Sequence, residues 1–279
     1  MSTLRVALIQ LRTPASQEAA LAQAAPLIRQ AATEGAVFIT TPEGTNILQK
    51  DRAQLLPRLR TAEDDPCVRG LRSLAAELGV WLLIGSALVA DEADGQAVNR
   101  ALLVSPEGRI AARYDKMHMF DVDLPTGETA RESATYRPGD KAVTADLPMA
   151  RLGLTICYDM RFPYLYRALA KAGAEILTVP AAFTRPTGEA HWEILLRARA
   201  IETGSFVLAP AQGGRHEDGR GTWGRSIAIG PWGEVLAVAE GDEPGVVMAT
   251  LDLDAVKKAR QAIPALKNER AFTGPDGST

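Results

Sequence analysis

The chain has few of the residues that build disulfide frameworks or metal sites. Its 279 residues include 2 cysteines, Cys67 and Cys157, which form no Cys-x-x-Cys pair, and 3 histidines, which form no His-Glu-x-x-His motif. These absences argue against a disulfide-stabilised fold or a zinc motif, and they favour a reducing compartment. We therefore expect a metal-independent protein, and nothing in the sequence indicates another cofactor.

Charge excess and long apolar runs are also missing. The net charge is −3, no run of Lys and Arg suggests a nucleic-acid or membrane surface, and no apolar run could span a bilayer. The first residues lead into Leu4–Gln10, an apolar strand pattern rather than a signal peptide. With 46% hydrophobic residues, the chain can build one large domain or two small ones. We expect a cytoplasmic protein without nucleic-acid or membrane partners.

The stretch Arg151–Pro163 places a thiol at the end of a predicted strand. Its first part is apolar and rich in β-formers, and its second part is polar and ends in a proline that suits the first turn of a helix. Cys157 is therefore expected at the carboxyl edge of a sheet, where ligands bind in α/β folds. The alternative is an inert cysteine in a core strand, because free cysteine packs as a small hydrophobe. This stretch alone leaves both interpretations open.

A short repeat indicates two similar halves. The pattern Gly-Ala-x-x-x-Thr-x-Pro occurs at residues 35–42 and again at 173–180, each time after a predicted helix and within a predicted strand. Two β-α-β halves with their strand ends side by side would direct Glu43 and Cys157 into one pocket. A chance match of four small residues is the alternative.

Strand and helix patterns alternate along the rest of the chain, as in an α/β fold. Residues 115–137 have no clean period and are predicted as a long loop or lid, and the Gly-rich residues 213–224 as a second loop. The predicted strands are 4–10, 35–43, 80–89, 101–104, 109–114, 173–180, 205–209, a meander over 226–238, and 245–251. The predicted helices are 18–34 (bent or interrupted at Pro26), 66–78, 164–172, 190–203 and the start of the tail after Asp254.

Amide hydrolysis through a thiol needs a base, a positive group for the oxyanion and an activated water. Cys157 is the candidate nucleophile, Glu43 the candidate base and Lys116 the candidate electrostatic group. Each has a simpler interpretation on its own: Glu43 as a helix-capping carboxylate and Lys116 as an exposed loop charge.

Together these residues lie in a series of motifs that resembles the nitrilase superfamily of carbon–nitrogen hydrolases over nearly the whole chain. The motifs are Pro42-Glu43, Asp115-Lys-Met-His-Met-Phe-Asp121, Glu132-Ser133 before Pro138-Gly-Asp140, Gly153–Pro163, Gly188–Glu202 and Pro231–Val235. The resemblance implies an α/β fold, a four-layer α-β-β-α sandwich, as one domain over residues 1–279, and a homodimer or larger homo-oligomer. It also implies a catalytic set of Glu43, Lys116 and Cys157, with Glu132 as a second glutamate that positions the substrate and the lysine.

Within that family, Cys157-Tyr-Asp resembles the branch of deaminated glutathione amidase and omega-amidase, whereas nitrilases proper tend to have Cys-Trp-Glu. The expected reaction is hydrolysis of a small carboxylate-bearing amide with release of ammonia. The loop 214–226 is more similar to the first enzyme, but Tyr164 and Arg225 stand where these enzymes usually have Glu and His. An omega-amidase of 2-oxo acid amides, an N-carbamoyl amidohydrolase or a nitrilase are the alternatives.

Three further residues are candidates for substrate binding. The backbone N–H of Tyr158 could donate to the oxyanion, and Phe183 could line the pocket or belong to the core. Arg161 could bind a substrate carboxylate or pair with Asp159.

Two rival interpretations remain. The first is a Cys–His hydrolase that uses one of the histidines at 118, 191 and 216. The second is a non-catalytic scaffold on the same fold.

Overall fold

Two six-stranded sheets pack face to face in the computed structural model, which describes residues 3–125 and 127–275. The described residues form the α-helices α1 (Gln17–Thr33), α2 (Arg52–Leu55), α3 (Pro66–Leu78), α4 (Pro163–Lys171), α5 (Arg185–Thr203) and α6 (Asp254–Ala262). One-turn 3₁₀ helices lie at Leu56–Arg58, Glu132–Ala134 and Cys157–Arg161.

The strands of the first sheet are β1 (Thr3–Gln10), β2 (Phe38–Thr40), β3 (Trp81–Ala90), β4 (Ala97–Val104), β5 (Ile110–Asp115) and β16 (Gly245–Asp252). Those of the second are β8 (Val143–Asp146), β9 (Arg151–Leu154), β10 (Ile176–Thr178), β11 (Phe206–Ala209), β14 (Ile227–Ile229) and β15 (Val235–Val238). The first sheet has the order β16-β1-β2-β3-β4-β5, and the second has the order β15-β14-β11-β10-β9-β8. In each sheet β2 or β10 is parallel to both of its neighbours, and the remaining strand pairs are antiparallel.

Apolar side chains fill the spaces between the four layers, which are the two sheets and the helices on their outer faces. One cluster joins α1 and α3 to the outer face of the first sheet, with Ile28 and Leu71 fully buried. A second runs between the sheets and on to α4 and α5, and it includes Leu8, Leu152 and Leu196. Truncating such a buried leucine to alanine typically costs about 2–5 kcal/mol. The predicted α/β fold with its α-β-β-α layers is therefore confirmed.

The two copies of the repeat occupy equivalent places. Each follows a helix, α1 or α4, and forms the central strand of one sheet, β2 or β10. The two strand ends meet at Gly85, where an added Cβ would lie 1.8 Å from the Thr41 carbonyl oxygen and 2.4 Å from Pro180 Cβ. Only glycine permits this approach, which brings the carboxyl ends of the two halves together.

Some predicted boundaries are wrong. Helix α1 continues through Pro26, because Ala20, Ala24 and Ile28 form a buried stripe whose packing favours the continuous helix. Helix α5 begins at Arg185 rather than residue 190, with its proline in the first turn.

The predicted loops contain secondary structure. The lid segment includes the short strands β6 (Asp121–Asp123) and β7 (Thr129–Arg131), and the Gly-rich loop is a hairpin of β12 (Gly213–Arg215) and β13 (Gly221–Trp223). In the described residues, no helix is both long enough and apolar enough to cross a bilayer.

Strand β4 is longer than predicted. The predicted strand begins at residue 101, whereas β4 begins at Ala97 and includes Asn99 and Arg100, two polar residues that are buried. Arg100 donates to Asp91, Glu92 and Asp115 at 2.5–2.9 Å, so its charge is paired. Asn99 donates to two glutamates that belong to the site described next.

Candidate active site

Residues that follow strands of both sheets line one cavity of about 610 Å³. Glu43 comes three residues after β2, Lys116 directly after β5, and Cys157 three residues after β9. Glu132 reaches the same cavity from the one-turn helix of the lid segment. The structure thus brings together all four residues that the sequence predicts as a catalytic set.

Lys116 lies between two carboxylates. Its Nζ donates to Glu43 Oε1 at 2.8 Å and to both carboxylate oxygens of Glu132 at 2.9 Å. The side chain is only 2% exposed, so the alternative interpretation of an exposed loop charge is wrong. The contacts fix the ammonium at the cavity wall with most of its donors engaged.

Glu43 and Glu132 also accept backbone hydrogen bonds. Glu43 Oε2 accepts from the Ala182 N–H at 2.9 Å, and Glu132 Oε2 accepts from the Phe120 N–H at 2.6 Å. Glu43 caps no helix here, because its partners are Lys116, Asn99 and a backbone amide of the other half. The carboxylates are held from both sheets.

The electrostatics favour an ionised Glu43 beside a neutral thiol. Burial alone would raise the pKa of Glu43, but the charge and hydrogen bond of Lys116 outweigh it, so that pKa is lowered. Burial and the Glu43 charge together raise the pKa of Cys157 well above its ordinary value. Burial lowers the pKa of Lys116, but the two glutamates more than offset this and raise it. A carboxylate able to accept a proton therefore sits beside a protonated thiol.

Cys157 has a strained backbone. Its φ is +47°, a left-handed conformation that costs a residue with a Cβ about 1–2 kcal/mol. The Cys157 N–H donates to the Pro180 carbonyl oxygen at 2.9 Å, which ties the turn to the end of the neighbouring strand. Such strain is typical of functional turns that the surrounding structure holds in place.

Asp159 holds the turn on its other side. It is fully buried and accepts from the Ile156 N–H at 2.9 Å and from the Tyr114 hydroxyl at 2.6 Å. Its other oxygen lies 2.7 Å from His118 Nδ1, and His118 Nε2 lies 2.6 Å from the exposed Tyr164 hydroxyl. Tyr164, which departs from the family pattern, therefore completes a chain of contacts that links the lid to the Cys157 turn.

The predicted binding residues divide into two groups. Tyr158 and Phe183 line the cavity, whereas Arg161 is not among the residues that line it. The Arg161 guanidinium is 5.8 Å from the Tyr158 ring centre, 5.4 Å from the Phe183 ring centre and 3.3 Å from His191 Nδ1. It does not pair with Asp159, whose oxygens are used as described above.

The cavity is also lined by charged and polar side chains that the sequence did not indicate, so its charges are considered together. Five basic residues and three acidic ones face it, and burial raises the pKa of Tyr136 so that its hydroxyl remains a neutral donor. The basic residues are Lys50, Arg52, Lys116, Arg131 and Arg220, and the acidic ones are Glu43, Glu128 and Glu132. The balance favours an anionic ligand.

The remaining histidine, His216, has structural partners. His216 is buried, with Nε2 2.7 Å from the Thr222 hydroxyl, and burial lowers its pKa to about 4.

Arg225, the second departure from the family pattern, has a φ of +59°, and its carbonyl oxygen accepts a hydrogen bond from the Trp192 indole N–H. In the part of the chain that the structure describes, no group of three or more His, Cys, Asp and Glu side chains could hold a metal ion.

Comparisons with known proteins agree with this arrangement. Residues 5–261 match the Carbon-nitrogen hydrolase family. The chain is 41% identical over 275 residues to deaminated glutathione amidase of Yersinia enterocolitica, which covers 97% of this chain and 94% of that protein. It is 36% identical over 271 residues to human omega-amidase NIT2, covering 97% and 96%.

Solved structures have the same fold. The crystal structure of Saccharomyces cerevisiae Nit3, a member of branch 10 of the nitrilase superfamily, matches with a TM-score of 0.86 at 28% identity, over 96% of this chain and 97% of that one. Fold and sequence therefore agree over nearly the whole length. The chain belongs to the carbon–nitrogen hydrolases of the nitrilase superfamily, in the branch of deaminated glutathione amidase and omega-amidase.

Proposed function

We propose that the chain hydrolyses an amide bond of a small carboxylate substrate through a thioester on Cys157, with deaminated glutathione as the best candidate. The observation that carries this proposal is the Lys116 ammonium, held 2.8 Å from Glu43 and 2.9 Å from Glu132 at the wall of a cavity that Cys157 also lines. Nucleophile, base and charge are the three groups that amide hydrolysis through a thiol requires.

Acylation begins when the Cys157 sulfur attacks the amide carbon while its proton passes to Glu43. The raised pKa of the thiol makes this base necessary, and the lowered pKa of Glu43 keeps it available at neutral pH. As the carbon–nitrogen bond breaks, Glu43 returns the proton to the leaving nitrogen, and the amine departs. The amine is cysteinylglycine when the substrate is deaminated glutathione, and ammonia when the substrate is a primary amide. The product of this step is a thioester between the acyl group and Cys157.

Hydrolysis of the thioester reverses the order of the proton transfers. Glu43 accepts a proton from water, the resulting hydroxide attacks the acyl carbon, and the carbon–sulfur bond breaks. The proton then returns to the Cys157 sulfur, which restores the resting thiol. Glu43 therefore acts as base and acid in both halves, and the protons balance without a further group.

Two donors serve the developing oxyanion. The Lys116 ammonium is one, and the Tyr158 N–H is the other, because the second position of a helical turn has no acceptor within that turn. Glu132 holds Lys116 through both carboxylate oxygens and so aims the ammonium. Glu132 is thus a positioning residue in this scheme.

The substrate carboxylate is proposed to bind away from the reacting carbon, near Arg220 and Tyr136. Both line the cavity, Arg220 being about 30% exposed and 3.2 Å from Asp218, and the Tyr136 hydroxyl is a neutral donor. A planar guanidinium suits a carboxylate in two-point fashion. This assignment replaces Arg161, which packs against the rings of Tyr158 and Phe183 and is not among the residues that line the cavity.

An omega-amidase acting on 2-oxo acid amides is the second candidate, supported by the 36% identity to human omega-amidase NIT2. Its substrates are also small carboxylate amides, so the same cavity charge suits both. The two candidates share the acylation chemistry and differ in the group on the amide nitrogen, which is hydrogen in an omega-amide and a dipeptide in deaminated glutathione.

A panel of amides tests the proposal, with detection of ammonia for primary amides and of the released amine for deaminated glutathione. Deaminated glutathione is expected to give the highest kcat/KM, omega-amides of short 2-oxo acids a lower one, and simple aliphatic amides the lowest. Replacing Arg220 by Gln should raise KM for the preferred substrate about tenfold, while Arg215→Gln, an exposed arginine of the same hairpin, should leave it unchanged. Absence of ammonia or amine release from every carboxylate amide would overturn the proposal.

A further inference from the structure

Asn99 contacts both carboxylates of the site. Its Nδ2 donates to Glu43 Oε1 at 2.9 Å and to Glu132 Oε1 at 3.3 Å. The residue is 2% exposed, lies in the middle of β4 and lines the cavity. It therefore bridges the same two glutamates that Lys116 bridges, from a different strand.

The contacts fix the orientation of the Asn99 amide. Carboxylate oxygens accept hydrogen bonds only, so the NH₂ side must face both glutamates, and a flipped amide would set oxygen against oxygen. In this orientation Oδ1 is buried and accepts no hydrogen bond from the residues that the structure describes. An unpaired buried acceptor is unfavourable, so the two charge-assisted bonds on the other side of the amide outweigh its cost.

The charge balance of the site shows why a second donor is useful. Two buried carboxylates share one ammonium, which leaves a net negative charge in a buried place. The titratable side chains that line the cavity around Glu43 are Lys116, Glu132, Cys157, Tyr136 and Arg220. Hydrogen bonds to the Glu43 carboxylate come from the side chains of Lys116, Asn99 and Cys157, and of these only Lys116 carries a positive charge.

We propose that Asn99 is a positioning residue that keeps Glu43 ionised and holds Glu43 and Glu132 in register about the Lys116 ammonium. The inference rests on the proposed function, because it assigns Glu43 the part of the base. Asn99 touches neither substrate nor sulfur in this scheme and acts through the two glutamates.

A second buried asparagine provides a matched control. Asn46 Nδ2 donates to Asp65 at 2.9 Å and to the Leu88 carbonyl oxygen at 2.9 Å, and Asn46 Oδ1 accepts from the Leu88 N–H at 2.8 Å. Asn46 thus also holds a buried carboxylate, but its carbonyl oxygen is paired, and neither Asn46 nor Asp65 lines the cavity. Its contacts suit a purely structural part.

The test compares Asn99→Asp, Asn99→Leu and Asn46→Asp with the unmodified protein. Two pH profiles are measured: kcat/KM for an accepted amide, and the rate of Cys157 alkylation by iodoacetamide, followed by mass spectrometry. The alkylation profile needs no substrate, so it reports on Glu43 and Cys157 even if the substrate assignment is wrong. Melting temperatures report on folding, and Asn99→Leu keeps the test valid if the aspartate variant does not fold.

The expected result is that the acid limb of both profiles moves to higher pH by about one unit in Asn99→Asp and by a smaller amount in Asn99→Leu. A one-unit shift corresponds to about a tenfold lower rate on that limb, with KM changed less than kcat. Asn46→Asp should lower the melting temperature and leave both limbs in place. Asn99 variants that lose thermal stability but keep the acid limb would overturn the proposal. An unshifted alkylation limb would do so independently of the amide used.

Discussion

The two cysteines of the chain are both buried and differ in what surrounds them. Cys67 is fully buried at the start of α3, and Cys157 is 7% exposed at the turn after β9. Burial raises the pKa of both thiols, so neither is an intrinsically acidic cysteine. Burial and thiol acidity therefore do not distinguish the proposed nucleophile, Cys157, from Cys67.

The surroundings make the distinction. Cys67 has regular helical backbone in the first turn of α3, and the charges that act on it, Asp65 and Glu18, both disfavour its thiolate. Cys157 has a left-handed backbone, lines a cavity and has both a carboxylate and an ammonium beside it. A thiol with a raised pKa can serve as nucleophile only where a base stands next to it, and in the proposed scheme Glu43 is that base.

Replacing each cysteine by alanine should give the largest contrast. Cys157→Ala is expected to lose turnover by roughly 10⁴-fold or more, the scale for removing a nucleophile, while Cys67→Ala should keep near-normal kcat. The measurement is ammonia release under saturating amide, with melting temperatures to confirm folding. Turnover that survives in Cys157→Ala would end the assignment.

The second contrast concerns the ammonium. Lys116→Arg keeps the charge but changes donor geometry in a buried site, so we expect at least about a hundred-fold loss in kcat. The matched control is Lys171→Arg, since Lys171 pairs with Glu269 at 2.9 Å on the surface. Equal kcat values for the two variants would show that the Lys116 ammonium has no special role in the chemistry.

The pH profile sharpens the comparison further. Because the pKa of Glu43 is lowered, Glu43 stays ionised at neutral pH, and kcat/KM should fall only when the pH drops below the ordinary range of a glutamate, about 4.3. Below the lowered pKa the rate should fall about tenfold per pH unit, because protonated Glu43 cannot accept the thiol proton. The profile of Cys67→Ala should be superimposable. An acid limb centred above pH 6 in the unmodified enzyme would contradict the ionised resting state.

A smaller effect is expected at the edge of the Cys157 turn. His118→Ala removes one contact to Asp159, so kcat should fall about tenfold, the equivalent of one hydrogen bond to a charged group, and less than in Lys116→Ala. His191→Ala, whose ring contacts Arg161 at the surface, should change kcat little. A loss in His118→Ala as large as that in Lys116→Ala would favour a Cys–His hydrolase instead.

Much of the site was predictable because local patterns mark it. The apolar run before Cys157 and the polar turn after it place the thiol at a strand end, and the repeat places Glu43 at the equivalent end. Lys116 is indicated by its motif rather than by a strand pattern, because it lies after β5 in a long polar segment without a clean period. The local sequence that predicts a strand therefore also predicts where the residue at the end of that strand lies.

Other parts of the site depend on long-range contacts that no local pattern records. The predicted strand at 101–104 leaves out Asn99 and Arg100, whereas carboxylates distant in sequence pair with both side chains in the interior. Two polar residues directly before an apolar strand run are the signal that could have marked them. Tyr136 and Arg220 come from loops whose folding back over the cavity is set by tertiary packing.

The most direct test of the central claim is the acylation step in Glu43→Gln. Glutamine keeps the shape of the side chain and removes the proton acceptor, so folding and substrate binding should persist while the chemistry stops. Intact-protein mass spectrometry after rapid mixing with an accepted amide should show the acyl adduct on Cys157 in the unmodified enzyme and none in the variant on the same time scale, a deficit of at least about a hundred-fold. A normal acyl-enzyme burst in Glu43→Gln would show that the base lies elsewhere.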